Sequence, residues 1–551
     1  MGVDSPVEDQ GKEYQEGQIG RGDMETGMGI GTTDYVGQIV EGDDGELVLR
    51  EKQGAKLELG DLVVVDNEKV KYICMVSKLT YGSLIHPDRI LTSSGSVLEG
   101  VNPRLEFPDK DLRIFRQVHV KPLLEVASEN GKQSPRAPRS IPEFMSKARM
   151  ASAQDFSFME APKTKVFIGN VRSGSRTLPV EYSMDGERLL SHHVLVSAQT
   201  GRGKSNLVKV LLWEAMRHGK FGVLVMDVHN EYYGTTTSKG LKDHPDAARA
   251  LVFYSRNPPP GQQLLKVNLK SIDPEDLMGV VEFTTAQEET LEQLRRQHGA
   301  DWASALLAVN EEDESFKKAK GTIRALKRKV CNIFNLRETA AGYECADGVF
   351  DLGGMGEETI NDMAQALEDG KVVLIDGSSI SDDTGLVIAS AVLRKLFDRY
   401  DGYKSSGVLK EKAQVVVVLE EAPRLLSGAY GDNVFSRIAR EGRKFRIGLI
   451  AITQLASVIP REILANIGTK IIMGNEMALE RRAIAESAAQ DLADFDRIIA
   501  GLDVGEAIVS SIFSKFPVPV KVPKFEDLAG IGRGPGMEEA RAQPAPRKRY
   551  F

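Results

Sequence analysis

The chain is poor in cysteine and aromatic residues and has no long apolar run, and each shortage excludes something. Of 551 residues only three are cysteines, Cys74, Cys331 and Cys345. They stand in no paired or metal-ligand spacing, so neither a disulfide scaffold nor a zinc site is expected, and a reducing, cytoplasmic setting is. Aromatic residues make up 6% of the chain, too few to suggest a stack of rings gripping single-stranded nucleic acid. No uninterrupted apolar run approaches the ~18 residues of a membrane span, and the acidic, glycine-rich start does not read as a signal peptide. No membrane partner is expected. Excess positive charge is missing too: 71 Lys and Arg stand against 79 Asp and Glu, a net of −8. A dedicated nucleic-acid coat is basic; a machine with positive charge only in one channel need not be. No helix-turn-helix is visible, and no repeat of period 20 to 50.

What the chain does have is the octapeptide Ala198-Gln199-Thr200-Gly201-Arg202-Gly203-Lys204-Ser205. It follows the apolar run Val194-Leu195-Val196 and precedes Asn206-Leu207-Val208, an order of strand, glycine loop and helix. A Walker A loop works in that context: glycines let backbone N–H groups converge on phosphate, and the helix N-terminus favours negative charge. Gln199 to Asn206 are therefore the candidate nucleotide cradle. Lys204 is expected to neutralise the β- and γ-phosphates of ATP, and Ser205 to ligate Mg²⁺. Ala198 occupies a position usually held by glycine, which is tolerable if its φ stays negative.

A second signal is Gln414-Val415-Val416-Val417-Val418-Leu419, a β-branched run ending in Glu420-Glu421-Ala422-Pro423. Such a run suits a buried parallel strand. Carboxylates at its C-terminal end sit where an open α/β sheet holds its ligand. Glu420 is assigned to the Mg²⁺ shell and Glu421 to polarising the attacking water. Most such strands end in Asp-Glu, so the pair Glu-Glu leaves open which carboxylate does which work. Two more strand ends belong with these: Phe221 to Met226 leading into Asp227-Val228-His229-Asn230-Glu231-Tyr232, and Gly448 to Thr453 leading into Gln454. Gln454 is a candidate sensor of the γ-phosphate. Between them, Arg437 to Arg446 is a basic cluster that could supply an arginine finger or simply form a salt-bridged helix face.

With these five motifs in this order, the chain resembles the HerA-type hexameric DNA translocases of the HerA/FtsK superfamily over most of residues 35 to 525. The resemblance implies a RecA-like P-loop ATPase core behind a small N-terminal β-barrel, a homohexameric ring, translocation on double-stranded DNA, and a NurA-type nuclease partner in DNA end resection and recombinational repair. It also implies an arginine acting across the subunit interface, with Arg443 favoured over Arg440. Two places depart from the family pattern. The last motif continues Gln454-Leu455-Ala456-Ser457 where relatives tend to have Gln-Arg-Pro-Ser, and Arg446 stands where they tend to have glycine. Two other readings share the ATPase logic: an ATPase that drives protein assembly, and a viral genome-packaging motor.

The expected fold class is α/β. Residues 1–34, rich in Gly, Asp and Glu, should be disordered. Closely spaced short apolar runs over 35–125 predict the barrel. In HerA relatives such a barrel assembles the ring and docks partners. Residues 126–162, with a Pro/Ser/Arg-rich centre, read as a linker. The ATPase core is expected over 163–525, interrupted by a helical insertion at 273–338. The insertion should end in a basic helix, Glu314 to Ile333, open to a DNA-facing or a merely solvated role. Pro517 to Val522 is expected at a sheet edge because of its prolines. Residues 526–551 form a tail that could brace a neighbouring subunit, as the tail does in HerA relatives, or serve only as an untethered solubilising end.

Overall fold

The β-branched runs near the N-terminus fold as strands because each alternates side chains between two faces, and both faces find cover. The computed structural model describes residues 35–530, apart from 68–69, 104–108, 130–131, 160, 310–319, 341 and 429–432. The expected disordered N-terminus, the tail beyond 530 and the first residues of the basic helix, Lys317 and Lys318 among them, lie outside the described residues.

Seven strands make the first sheet: β1 (Tyr35–Gly42), β2 (Leu47–Glu51), β3 (Leu62–Asn67), β4 (Val70–Ser83), β5 (Ile114–Glu129), β6 (Lys132–Arg136) and β7 (Lys147–Met150). Their order is β2-β1-β7-β3-β4-β5-β6, and β2 also pairs with β5. That extra pairing closes a six-stranded barrel, with β6 hanging outside on β5. The boundary at 125 and the linker at 126–162 are corrected here. Strand β5 runs on to Glu129, and β7 sits between β1 and β3, where it completes the barrel wall. Its sequence, Lys147-Ala148-Arg149-Met150, buries only Ala148 completely, so it carries no alternation to read.

In β3, Val63 and Val65 point into the barrel core. Leu62 and Val64 belong instead to the core of the following domain, as do Ile73, Met75, Leu124 and Val126. The barrel is thus packed onto the ATPase core. Polar contacts fasten the seam: Leu62 N–H donates to Ser173 Oγ at 2.8 Å, and Lys121 bridges Asp491 at 2.7 Å and Asp494 at 2.6 Å.

The core sheet has twelve strands. Its members are β8 (Lys165–Ser173), β9 (Arg176–Asp185), β10 (Val194–Ser197), β11 (Phe221–Asp227), β12 (Leu251–Ser255) and β13 (Gln263–Leu264). Two short pairs lie outside it, β14 (Val267–Asn268) with β17 (Phe350–Asp351), and β15 (Leu336–Thr339) with β16 (Gly342–Cys345). The sheet resumes with β18 (Val372–Asp376), β19 (Gln414–Leu419), β20 (Ile447–Thr453), β21 (Thr469–Met473), β22 (Glu506–Ser511) and β23 (Val518–Lys521). The order is β13-β12-β18-β11-β19-β20-β10-β21-β22-β23-β8-β9. From β13 to β21 the neighbours are parallel; from β21 to β9 they are antiparallel. The parallel part carries the uninterrupted apolar strands because helices cover both its faces.

One face packs on the helix Lys204–His218. The other packs on the helix Asp382–Ser405 and the insertion. The insertion is helical over Thr285–His298, Trp302–Ala308 and Lys320–Ile333, while its first helix stops at Leu277. Trp302 anchors it, fully buried, with its indole N–H donating to Ile272 O at 2.8 Å.

Strand β23 is not at an edge, contrary to the expectation from its prolines. It lies between β22 and β8, and Pro519 sits opposite Ile508. The ladder with β8 begins only at Val520, so Pro519 precedes it and its missing N–H costs that ladder nothing. Arg446 adopts φ 56 at the turn into β20. A left-handed turn of this kind favours glycine, so Arg446 is held there against a steric cost.

Candidate active site

Three consecutive neighbours, β19, β20 and β10, are parallel, so their C-terminal ends share one rim of the sheet. The P-loop follows β10. Ala198 is buried and keeps φ negative, whereas Gly201 and Gly203 take φ 78 and 101. A side chain at either glycine would be strained there, so those two glycines set the loop and the alanine does not disturb it. Gly203 caps the helix Lys204–His218, whose first N–H groups open on the loop.

Lys204 Nζ donates to Ala198 O at 3.0 Å. Burial holds its ammonium below the ordinary lysine range, against the opposing pull of Glu420 and then Glu421. A phosphate arriving at the loop would supply the charge that this cation lacks.

Glu420 and Glu421 diverge. The Tyr232 phenol donates to Glu420 Oε1 at 2.5 Å. Burial pushes the Glu420 carboxyl above the usual carboxylate range, and the Tyr232 hydrogen bond partly offsets this. Glu421 adopts φ 49 and is exposed. It borders a cavity of about 370 Å³ whose wall also includes Gln199, Arg424, Thr453, Gln454 and Asn475. Four adjacent strand ends contribute to that wall, those of β19, β20, β10 and β21. Gln454 is tied to the P-loop: Thr200 Oγ1 donates to its Oε1 at 2.9 Å. The oxygens of Ser205 and Glu420 are hard donors of the kind Mg²⁺ takes, and the Tyr232 bond engages only one of Glu420's two.

Other predicted cradle residues are held from outside the loop. Gln199 N–H donates to Gly474 O at 3.1 Å. Arg202 bridges Glu476 at 2.8 Å and donates to Leu502 O at 3.1 Å. The Asn206 side chain donates to Pro523 O at 2.9 Å and accepts from Phe525 N–H at 2.8 Å. Arg202 and Asn206 therefore brace the loop with their side chains, and the Arg202 backbone N–H closes the turn on Gln199 O at 3.3 Å.

Asp227, at the end of β11, is buried and accepts three backbone N–H bonds, from Glu231 at 2.7 Å, Tyr232 at 2.9 Å and Tyr233 at 3.3 Å. Its carboxylate thus shapes the loop that delivers Tyr232. Burial raises its pKa and those three bonds oppose the rise.

Arg443 is not part of this rim. The turn Gly442–Phe445 precedes β20, at the end of the sheet remote from the P-loop. Burial depresses the His192 and His193 imidazoles just before β10, and the nearby Arg443 adds to the effect at both. Arg440 lies about one helical turn earlier, at the end of the helix Val434–Glu441. Sequence reasoning missed the segment Gly474-Asn475-Glu476. Its signal was the apolar run Ile471-Ile472-Met473, obscured by the charged Lys470 before it.

Residues 166–396 match the family described as helicase HerA, central domain. The chain is similar to the DNA double-strand break repair helicase HerA of Saccharolobus solfataricus, 26% identical over 501 residues covering 89% of this chain and 92% of that protein. To the protein of the same name from Sulfurisphaera tokodaii it is 27% identical over 502 residues, covering 88% and 91%. Among solved structures, the bacterial conjugative coupling protein TrwBΔN70 overlaps with a TM-score of 0.42 at 13% identity, over 68% of this chain and 92% of that one.

Proposed function

We propose that the chain is a HerA-type P-loop ATPase, supported by its likeness to that family, and that it hydrolyses ATP to move along double-stranded DNA as a homohexameric ring. The observation that carries the reading is the cavity beside the P-loop, where Glu421, Gln454 and Gln199 meet. ATP would lie along Gln199 to Asn206, its phosphates held by backbone N–H groups and the helix N-terminus. Lys204 would leave Ala198 O for the β- and γ-phosphates. Ser205 and Glu420 would hold Mg²⁺, which supplies charge neutralisation between the phosphates. Glu421, exposed to the cavity, would orient and polarise the attacking water. Gln454, bonded to Thr200, would register whether a γ-phosphate is present. Since Arg443 lies far from its own P-loop, it would serve the pocket of a neighbouring subunit. Ring motion would then grip the phosphate backbone without regard to sequence, and so with strong salt dependence. The names of the HerA relatives place them in double-strand break repair. We assign this chain the same setting, with a NurA-type nuclease as its partner.

The test is the ATPase rate with and without duplex DNA. Strong, salt-sensitive stimulation is expected. A rate indifferent to DNA would remove the translocase reading and favour an ATPase that drives protein assembly.

A further inference from the structure

We propose that Tyr232 is a positioning residue for Glu420, fixing that carboxylate for the magnesium site and so separating the work of the two adjacent glutamates. The inference rests on the nucleotide-site reading above.

Tyr232 and Glu420 are 188 positions apart in the chain. Tyr232 is 1% exposed, and its ring belongs to the core around the helix Lys204–His218. A phenylalanine would fill that space as well, so packing does not account for the hydroxyl. A buried hydroxyl is costly unless it is hydrogen-bonded, and this one has Glu420 Oε1 as its acceptor at 2.5 Å. The residue delivering the bond is itself held, since the Asp227 carboxylate takes the Tyr232 backbone N–H at 2.9 Å. A chain of fixed groups therefore runs from Asp227 through Tyr232 to Glu420.

The consequence for Glu420 is geometric. One oxygen is occupied and the carboxylate plane is set, leaving the second oxygen to serve the metal site. Outer partners of this kind orient a metal's ligands and tune its binding. Glu421 has no such clamp: among the described residues no side chain bonds to its carboxylate. Its φ of 49 turns it toward the cavity shared with Gln454. The two roles that the sequence Glu-Glu leaves open thus divide as a held acid for the metal and a mobile one for the water.

The experiment uses the full-length chain carrying Tyr232→Phe. Binding of a slowly hydrolysed fluorescent ATP analogue is titrated against Mg²⁺ and repeated in EDTA, with a melting curve alongside. The Mg²⁺ concentration for half-maximal binding should rise about tenfold, while binding in EDTA stays as in the wild type. Glu420→Gln should show a similar rise, and the double variant no more than Glu420→Gln alone, because both changes break one linkage. If Tyr232→Phe lowers the melting temperature and leaves the Mg²⁺ titration unchanged, the hydroxyl serves the fold and the inference falls. Additive effects in the double variant would overturn it too. Wild-type binding indifferent to Mg²⁺ would instead bring down the reading of the nucleotide site itself.

Discussion

Arg443→Ala tests how the site is completed, because the fold separates the arginine from its own pocket. Strand β20 spans seven residues from Ile447 to Thr453. At ~3.3 Å per residue that is about 23 Å, well beyond an arginine's reach. Arg443 stands before the start of β20, and Gln454 follows its end. Within one subunit the substitution therefore leaves the P-loop untouched, and ATP binding should persist. If Arg443 stabilises charge in a neighbour's pocket, hydrolysis should fall about 10³-fold or more. Lys204→Ala should be inactive for a different reason, having lost the cation in its own loop. Mixing the two separates these causes. In a head-to-tail ring formed from equal amounts, a pocket works only if its own Lys204 and its neighbour's Arg443 are both intact. Each holds with a probability of about one half, so about one quarter of the wild-type rate should return. Two different affinity tags would select the mixed rings, and phosphate release would be measured against the parents. Verified mixed rings no more active than the sum of their parents would refute action across the interface.

Other outcomes follow from the same geometry. Lys204→Ala should abolish hydrolysis without lowering the melting temperature by more than about 1 kcal/mol would, since among the described residues its one hydrogen bond is to Ala198 O; retention of most turnover would show the loop misread. Glu421→Gln should bind ATP and duplex DNA but turn over 10²- to 10⁴-fold more slowly, roughly the worth of a general base. Should Glu420→Gln give that trapped state while Glu421→Gln stays active, the two carboxylates have exchanged roles. Lys470, buried with its ammonium on Leu464 O and Ile467 O, has its pKa lowered by burial to about 8. The unfolded chain then holds more protons between about pH 8 and 10.4, so stability should rise with pH across that window, by at most about 3 kcal/mol. Chemical denaturation of the wild type and Lys470→Met from pH 7.5 to 10 checks this, and parallel curves would contradict it.

The chemistry of the P-loop was legible because it resides in contiguous residues. A glycine loop between a strand and a helix makes the same cradle wherever it occurs, since the backbone does the binding. The buried strands were legible for a similar reason: Val415 to Leu419 and Ile447 to Ile452 carry no polar side chain, as suits strands covered on both faces. Strand β7 was not legible, because only Ala148 has to be buried there, and closure of the barrel rather than its own sequence recruits it. Pro519 misled because a proline's tolerance depends on where the neighbouring ladder starts. The bond from Tyr232 to Glu420 needed the strand order, which sets β11 beside β19. Strand direction likewise put Arg443 at the far end of the sheet. Local sequence thus determined which groups are the candidates for binding a phosphate. The tertiary fold decided which of them meet and which lie apart, because only chain topology sets distances between residues far apart in sequence.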